Sequence, residues 1–382
     1  MNNSSSKPKI IRACTVSNSI GFVTGMIPEL LKNFEVGILA SPGEYWNSLD
    51  EYGDEVKRFE VAMERQISPW KDCKSLWKLI RIFQKERPDI VHSMTPKAGL
   101  LCMIAAWINR VPIRIHTFTG LVFPTAAGLK KKLLMFTDRV TCACASHIIP
   151  EGAGVRKDLL SNKITTKPIK VLGYGSCVGI DLNKFTSTHD TEIYSLKKGT
   201  LDTFKFITIG RIVGDKGINE LVSAFKRIAK EFNAQLIVVG PYEKEDPLMP
   251  ETIEEIENNP NIAAVGLQRD IRPWLQQAHC SILASYREGF PNVVIEAGAM
   301  GLPQIVTDIN GANEIIVEGK NGTIVPPKDA EALYQAMKRM IEDTNWRHSM
   351  AINAREMIAS RYDEKFVRKC LFDFYNEILT SK

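Results

Sequence analysis

Short apolar runs alternate with amphipathic stretches along both halves of the sequence, and this alternation limits the fold more than any other feature. In the first half the strand-like runs are IIRACTV (10–16), VGILA (36–40), DIVHS (89–93) and IRIHTF (113–118). The second half restarts the pattern with FKFITIG (204–210), AQLIVVG (234–240), NIAAVG (261–266), CSILAS (280–285) and PQIVTD (303–308). Strands that alternate with helices are typical of βα units around a parallel sheet.

Two stretches show the helical pattern most clearly. LWKLIRIF (76–83) repeats apolar residues at helical spacing and places its basic residues off that stripe, so it predicts an amphipathic helix. After Asp329 the pattern is almost entirely helical. It ends in EKFVRKCLFDFYNEIL (364–379), whose predicted apolar stripe is Phe366, Cys370, Phe374 and Ile378. We expect this last helix to pack against another element, and the first domain is one candidate.

The length of 382 residues is too great for one ordinary core and predicts two domains. We predict an α/β fold with two Rossmann-like domains facing across a cleft, which is a default ligand site. The Gly- and Ser-rich segment 173–200 is predicted to connect the two domains. The predicted divisions are a disordered 1–8, a first Rossmann-like domain 9–190, a second Rossmann-like domain 191–363 and a C-terminal helix 364–382.

Composition excludes several classes of protein. The chain is 44% hydrophobic and 24% charged, as expected for a soluble globular protein. No secretory signal is visible, and the longest apolar run, 98–108, is about half the roughly 20 residues that a membrane-spanning helix needs. The eight cysteines follow no zinc or redox spacing, so free thiols are expected. We therefore expect a cytoplasmic protein.

The segment REGFPNVVIEAGAM (287–300) carries two glutamates eight positions apart. A helix is predicted to begin near Pro291 or Asn292, and its free N–H groups favour a diphosphate. Glu288 precedes this helix and Glu296 lies in its second turn. About 12 Å of separation is too wide for an acid–base pair but suits a nucleotide sugar with a hydroxyl-bearing ring at each end. The structural alternative is two unrelated glutamates flanking a core helix.

A second segment, ITIGRIVGDKGINELVSAF (207–225), reads as a strand, a glycine-containing loop and a helix. Its loop carries Arg211 and Lys216, where bound phosphates would lie. The loop is neither a Walker A motif nor a dinucleotide fingerprint. Taken alone, the two cations are either ligands or solvated loop residues.

Together, GRIVGDKG, VGLQRDIRPWL, ASYREGFPNVVIEAGAMGLPQIVTD and NGTIVPPKD resemble the carboxy-terminal domain of family-4 retaining glycosyltransferases, which have the GT-B fold. The first half resembles the subgroup that builds bacterial capsule, O-antigen and exopolysaccharide on a polyprenyl-diphosphate carrier. The similar segments are RPDIVHSMTPKAGLLCMIAAW (87–107), VPIRIHTFTGLVFP (111–124) and VLGYGSCVGIDLNKF (171–185). The resemblance implies transfer of a hexosyl unit from a nucleotide sugar, with UDP favoured over GDP, to a polyprenyl-diphosphate-linked saccharide.

The resemblance implies that domain 9–190 binds the acceptor and domain 191–363 binds the nucleotide sugar. It also implies roles for individual residues. Arg211 and Lys216 would hold the donor diphosphate, Glu288 the transferred sugar and Glu296 the ribose. Backbone groups would complete the phosphate and sugar contacts, and these belong to Gly289, Phe290, Pro291, Asn292 and Val293. Residues near Gly266 and Leu267 would border the base, and the backbone at Gly21 would close over the donor.

One position departs from the family pattern. Many relatives carry His where this sequence has Thr119, and His116 lies further inside the strand. Both are retained as candidate substrate-binding residues, and the catalytic role of either stays open. His92 and His147 are expected to be core histidines.

Three other functions are alternatives to a retaining transferase. An inverting enzyme would need a base, but the loop SNSIGFVTG (17–25) has no His, Asp or Glu. A nucleotide-sugar 2-epimerase of the same architecture would need further titratable groups around the hexose. A non-catalytic nucleotide-sugar-binding subunit would need a degenerate site. Since the sequence has no D-x-D, catalysis without a metal is expected, with the nucleotide sugar as co-substrate and no other cofactor.

The basic charge is concentrated in the first half. Residues 1–190 contain 26 Lys and Arg against 17 Asp and Glu, whereas residues 191–382 contain 23 against 27. GLKKKLLMF (128–136) and WKLIRIFQKER (77–87) combine basic and apolar residues, which favours anionic lipid. Solvated faces of ordinary helices are the alternative. We predict peripheral association with the cytoplasmic membrane surface and no nucleic-acid partner.

Overall fold

The computed structural model describes residues 7–64, 68–186, 203–244 and 246–380. Contacts divide the chain into two compact units, residues 1–178 together with 367–382, and residues 179–366. The predicted boundary between residues 190 and 191 lies outside the described residues, as does most of the predicted N-terminal segment 1–8.

The first unit contains a six-stranded parallel sheet in the order β3-β2-β1-β4-β5-β6. Its strands are β1 (Lys9–Ala13), β2 (Glu35–Ala40), β3 (Val56–Glu60), β4 (Ile90–Met94), β5 (Ile113–Phe118) and β6 (His147–Pro150). Its helices are α1 (Gly21–Thr24), α2 (Ile27–Asn33), α3 (Pro69–Glu86), α4 (Pro96–Ile108), α5 (Gly128–Cys144) and α6 (Ala153–Ser161). Short 3-10 turns span Ser17–Ile20, Glu44–Glu55 and Phe123–Thr125.

The second unit contains another six-stranded parallel sheet, in the order β12-β11-β10-β7-β8-β9. Its strands are β7 (Phe204–Ile209), β8 (Ala234–Val239), β9 (Ile262–Gly266), β10 (Cys280–Leu283), β11 (Gln304–Thr307) and β12 (Gly322–Val325). Its helices are α7 (Ile218–Glu231), α8 (Pro250–Asn258), α9 (Arg272–Gln277), α10 (Asn292–Ala299), α11 (Ala312–Ile315), α12 (Ala330–Glu342) and α13 (Thr344–Tyr362), and a 3-10 turn spans Gly214–Lys216. The last helix, α14, spans Glu364–Thr380.

These two parallel sheets, with helices against them, confirm the predicted α/β fold with two Rossmann-like domains. All nine predicted strands are present among the described residues. The prediction missed β3, β6 and β12, which are edge strands of their sheets. An edge strand need not be continuously apolar, and VKRFE of β3 has one buried and three exposed positions, so its periodicity signal is weak.

Both faces of the first sheet are buried by helices. On one face, Leu79 and Phe83 of α3 pack with residues of α4 and α5, which confirms the predicted amphipathic helix. On the other face, α14 contributes Leu371, Phe374, Tyr375 and Ile378 to the core of the first unit. The predicted stripe of α14 was partly wrong, because Phe366 is 37% exposed and Cys370 is only partly buried. The buried stripe instead includes Val367 and Leu371, one position further along the helix.

The strand order of each sheet reverses at one place. In the first sheet the reversal lies between β1 and β4, and in the second it lies between β7 and β10. Loops that leave the carboxyl ends of two such strands run in opposite directions and open a crevice for a ligand. None of the helices in the described part of the chain is both long and apolar enough to cross a membrane.

Candidate functional site

The loops after β7 and β10 bring together the charged residues that the sequence singled out. β7 ends at Ile209 and is followed by Arg211 and Lys216, while β10 ends at Leu283 and is followed by Ser285 and Glu288. The two strands are parallel neighbours, so both loops leave the same edge of the sheet at its reversal point. A recess there is lined by Thr208, Gly210, Arg211, Lys216, Leu283 and Ser285, among others.

Lys216 and Glu288 form an ion pair at the centre of this site. The Lys216 Nζ atom donates a short hydrogen bond to Oε1 of Glu288, and both side chains are about four-fifths buried. The Ser285 hydroxyl donates to the same carboxylate oxygen at 2.9 Å. Two donors therefore fix the position of the Glu288 carboxylate oxygen.

Arg211 lies beside this pair among several carboxylates. Its guanidinium donates to Oε2 of Glu243 at 2.8 Å and lies 3.9 Å from Asp215. Burial acts to lower the pKa of Arg211, but the hydrogen bond and charge of Glu243, with the charges of Asp215 and Glu288, raise it above its ordinary value. Arg211 is therefore a fixed positive charge. Asp215 is shared, since Arg287 donates to its other oxygen at 2.7 Å.

Two glycines allow these loops to lie against the sheet. Gly217, directly after Lys216, has φ +66°, and a Cβ there would lie 2.0 Å from the carbonyl oxygen of Ala284. Gly311 has φ +76°, and a Cβ there would lie 2.4 Å from the carbonyl oxygen of Gly289. A side chain at either position would push a loop of the site out of place.

Helix α10 begins at Asn292 after Pro291, as predicted. The Val294 N–H donates to the Pro291 carbonyl at 3.0 Å, and a helix leaves the N–H groups before that position without a partner inside the helix. The Asn292 Oδ1 atom is buried and accepts no hydrogen bond within the described residues. The Phe290 side chain packs in the core against Tyr362, with ring centroids 5.5 Å apart, so this residue offers only its backbone to a ligand.

Glu296 projects from the second turn of α10. It is partly buried, and burial raises the pKa of its carboxyl to about 7, although the charge of Lys184 acts in the opposite direction. Its protonation state therefore changes near neutral pH. The other predicted donor contacts, Gly266 and Leu267, follow at the end of β9, where Gly266 has φ +69° and Leu267 is 72% exposed.

The predicted residues of the first half lie in the first unit. Gly21 is an exposed residue at the start of α1, and its contact with a donor stays a prediction. His116 is buried in β5, where Nδ1 lies 2.9 Å from the Ser93 hydroxyl and burial lowers its pKa to about 3. Thr119 follows β5 and lines a narrow recess together with His116.

The other two histidines have structural surroundings. His92 is buried, and its two ring nitrogens lie 2.6 Å from the Tyr375 hydroxyl and 2.7 Å from the Thr117 hydroxyl, which confirms a core histidine. His147 is only partly buried, with Nδ1 2.9 Å from the Ser146 hydroxyl and its ring against Phe374.

Sequence reasoning missed several partners in the site. Ser285 stands at the start of the glutamate segment and could have been noticed there, and Asp215 stands between Arg211 and Lys216. Glu243 follows β8 and belongs to no motif, so only the fold identifies it. The eight cysteines are free, as expected. In the described ranges, no cluster of three or more His, Cys, Asp or Glu side chains could hold a metal ion.

Both halves of the chain match known protein families. Residues 23–175 match the family described as glycosyl transferase 4-like domain, and residues 192–357 match glycosyl transferases group 1. The chain resembles the Staphylococcus aureus capsular polysaccharide biosynthesis glycosyltransferase CapM, with 35% identity over 97% of each chain. It is 27% identical to the Escherichia coli UDP-Gal:alpha-D-GlcNAc-diphosphoundecaprenol alpha-1,3-galactosyltransferase, over 93% of this chain and 92% of the relative.

A solved structure confirms the fold. Anabaena Alr3699/HepE, in complex with UDP and glucose, superposes with a TM-score of 0.79 over 97% of this chain and 99% of its own, at 18% identity. Two Rossmann-like sheets, both family matches and a relative at 35% identity over nearly the whole chain lead to one conclusion. The chain belongs to the group 1 glycosyltransferases, with a glycosyltransferase 4-like first domain and the GT-B fold.

Proposed function

We propose that this glycosyltransferase moves a hexosyl unit from a UDP-sugar to a polyprenyl-diphosphate-linked saccharide, with retention of configuration, in surface polysaccharide biosynthesis. The observation that carries the proposal is the cluster of Lys216, Glu288 and Ser285 at the reversal point of the second sheet. The names of two relatives support it, since one acts in capsular polysaccharide biosynthesis and the other pairs a UDP-sugar with a diphosphoundecaprenol acceptor.

Donor binding would exchange one set of charge contacts for another. A diphosphate bound by Lys216, Arg211 and the N-terminus of α10 would compete with Glu288 for the Lys216 ammonium. The released Glu288 carboxylate, still held by Ser285, could then accept hydrogen bonds from hydroxyls of the transferred sugar. At the other end of the donor, Glu296 would accept hydrogen bonds from the ribose.

The arrangement suits a front-side reaction. The bond from the anomeric carbon to the phosphate oxygen breaks, the acceptor oxygen bonds to the same face of that carbon, and the acceptor proton passes to the leaving phosphate. This step needs no protein nucleophile. Two cations, Arg211 and Lys216, can stabilise the leaving diphosphate, so we propose that neither a metal nor another cofactor is required.

We also propose that the first unit docks on the cytoplasmic face of the cell membrane. The neighbouring helices α3, α4 and α5 expose large apolar side chains, and these are Trp70, Trp77, Trp107, Ile108, Leu129, Leu133 and Phe136. Trp70 is 91% exposed and Leu129 is 84% exposed, so neither contributes to the core. Lys130, Lys131 and Lys132 lie beside the exposed residues of α5. Tryptophan and lysine together are typical of the bilayer interface.

The test is incubation of the purified protein with UDP- and GDP-hexoses and a polyprenyl-diphosphate sugar. We expect a new glycosidic bond from a UDP donor with the donor's anomeric configuration preserved. Nucleotide release without transfer to any acceptor, or a β product from an α donor, would contradict the proposal. An altered sugar still attached to UDP would indicate the epimerase alternative instead.

A further inference from the structure

The first unit contains a narrow recess at the carboxyl edge of its sheet. The recess lies between the loop before α4, the end of β5 and helix α5, with room for a water molecule or a hydroxyl group. Its lining residues include Thr95, His116, Thr119, Thr137 and Asp138.

Asp138 is a polar residue of this recess whose side chain makes no contact that the fold needs. Its carboxyl has no hydrogen-bond or ion-pair partner among the residues that the structure describes. The neighbouring hydroxyls are engaged, since Thr137 donates to the Leu134 carbonyl at 2.8 Å and Thr95 Oγ1 lies 2.7 Å from Thr15 Oγ1. The Asp138 side chain is half-buried, and a carboxyl partly removed from water without a partner is unfavourable, so it calls for a functional explanation.

The walls of the recess are held in place by close contacts. Thr95 has φ +70°, a conformation that a β-branched residue rarely adopts, and strain of this kind concentrates at functional sites. Its Oγ1 atom also accepts a hydrogen bond from the Thr15 backbone N–H at 3.0 Å, across the reversal point of the sheet. On the other wall, a Cβ at Gly99 would lie 2.3 Å from the His116 ring, so the ring packs directly on helix α4.

We propose that Asp138 binds the acceptor, by accepting a hydrogen bond from a saccharide hydroxyl that enters this recess beside Thr119. The inference rests on the proposed function, because it requires a saccharide acceptor in the first unit. Thr119 lines the same recess, and its side chain forms no hydrogen bond with the described residues. A hydroxyl group can donate to a carboxylate and accept from a threonine, so the two residues together suit an alcohol.

The charge state of Asp138 follows from its surroundings. Burial raises the pKa of the Asp138 carboxyl to about 7. The other titratable groups nearby are His116 on β5, with a pKa lowered to about 3 by burial, and Cys142 on α5, with a pKa raised to about 12 mainly by burial. Neither of these changes charge near neutral pH. Acceptor binding should therefore strengthen as the pH rises through about 7, where Asp138 becomes an ionised acceptor.

The experiment compares Asp138→Asn and Asp138→Glu with the control Asp54→Asn, which changes an exposed aspartate of the same unit. We expect Asp138→Asn to lower kcat/KM for the acceptor about 10- to 100-fold, since a charged acceptor is lost. The KM for the UDP-sugar should stay unchanged. The change in acceptor KM near pH 7 should disappear in Asp138→Asn, while Asp138→Glu should recover part of the activity.

Two further outcomes separate this inference from a structural role and from failure of the proposed function. Wild-type acceptor kinetics in Asp138→Asn would overturn the inference, even if the pH dependence of its thermal unfolding changed. If Asp138→Asn did not fold, an acceptor KM of the wild-type enzyme that is constant from pH 6 to pH 8 would overturn it. Absence of transfer by the wild-type enzyme to any lipid-linked saccharide would instead contradict the proposed function.

Discussion

The two sheets have the same strand order but very different residues at the point where that order reverses. In the second sheet, the loops at this point carry Arg211, Lys216 and Glu288. In the first sheet, the corresponding loops carry the hydroxyls of Thr15, Ser17 and Thr95. The topology provides a crevice in both units, but only the second contains the charges that a diphosphate needs.

The titratable groups at the two reversal points also differ in charge. His92 and His116 of the first sheet are buried, and burial lowers the pKa of each, so they are neutral at physiological pH. In the second site the charged groups are paired, as in Lys216 with Glu288 and Arg211 with Glu243. The two histidines of the first sheet are thus neutral hydrogen-bonding groups, as suits a saccharide, whereas the paired charges of the second site suit an anionic donor.

The largest expected effect comes from removing charges at the second reversal point. Lys216→Ala and Glu288→Ala should each lower turnover about 10- to 150-fold, because each removes a charge-assisted hydrogen bond. Lys230→Ala, at an exposed position on α7, is the matched control. Steady-state kinetics with a UDP-sugar and circular dichroism of each variant provide the measurement. Wild-type turnover in both variants would remove the functional contrast between the two sheets.

A second prediction concerns the basic surface of the first unit. Changing Lys130, Lys131 and Lys132 to Glu should lower binding to anionic vesicles at least tenfold, since each basic residue near a membrane contributes about 1 kcal/mol. Binding of the wild-type protein should weaken as salt is added. The control changes Arg156, Lys157 and Lys163, exposed residues of the same unit, to Glu. Equal loss of vesicle binding in both variants would attribute the effect to net charge rather than to helix α5.

Glu296 offers a smaller and pH-dependent test of the second site. Glu296→Gln should raise the KM for the donor about tenfold, because an amide has one hydrogen-bond acceptor oxygen in place of two. Its folded-state pKa of about 7 lies above the ordinary value of 4.5, so stability should fall as the pH rises between these values. The variant should show a smaller fall in melting temperature over this window. Glu251→Gln, which changes an exposed side chain of α8, should behave as the wild type.

The smallest expected effect is that of a chelator. If Arg211 and Lys216 supply the positive charge that the leaving diphosphate needs, EDTA should leave turnover unchanged. Activity is measured with and without EDTA, followed by addition of Mg²⁺ or Mn²⁺. Loss of turnover with EDTA and recovery with either ion would mean that the two cations of the second site are insufficient.

Much of the fold and part of the site could be predicted from the sequence. Nine strands gave visible apolar runs, whereas β3 has a single buried position and β6 and β12 are only 4 residues long. The start of α10 followed from Pro291 and Asn292, whose preferences act within one turn. The sequence pattern does not single out Asp138, because one aspartate on an amphipathic helix resembles any solvated residue until its burial is known.

The sequence by itself determined two sheets of parallel strands, the glycine-containing loop before α7 and the helix that follows Glu288. These features depend on periodicity and on backbone preferences, which act over a few neighbouring residues. Only the tertiary structure decided that β7 lies beside β10, which brings Lys216 to Glu288 across 72 positions of sequence. Burial likewise depends on contacts between distant segments, so the pKa values near 7 of Asp138 and Glu296 became evident only in the folded protein.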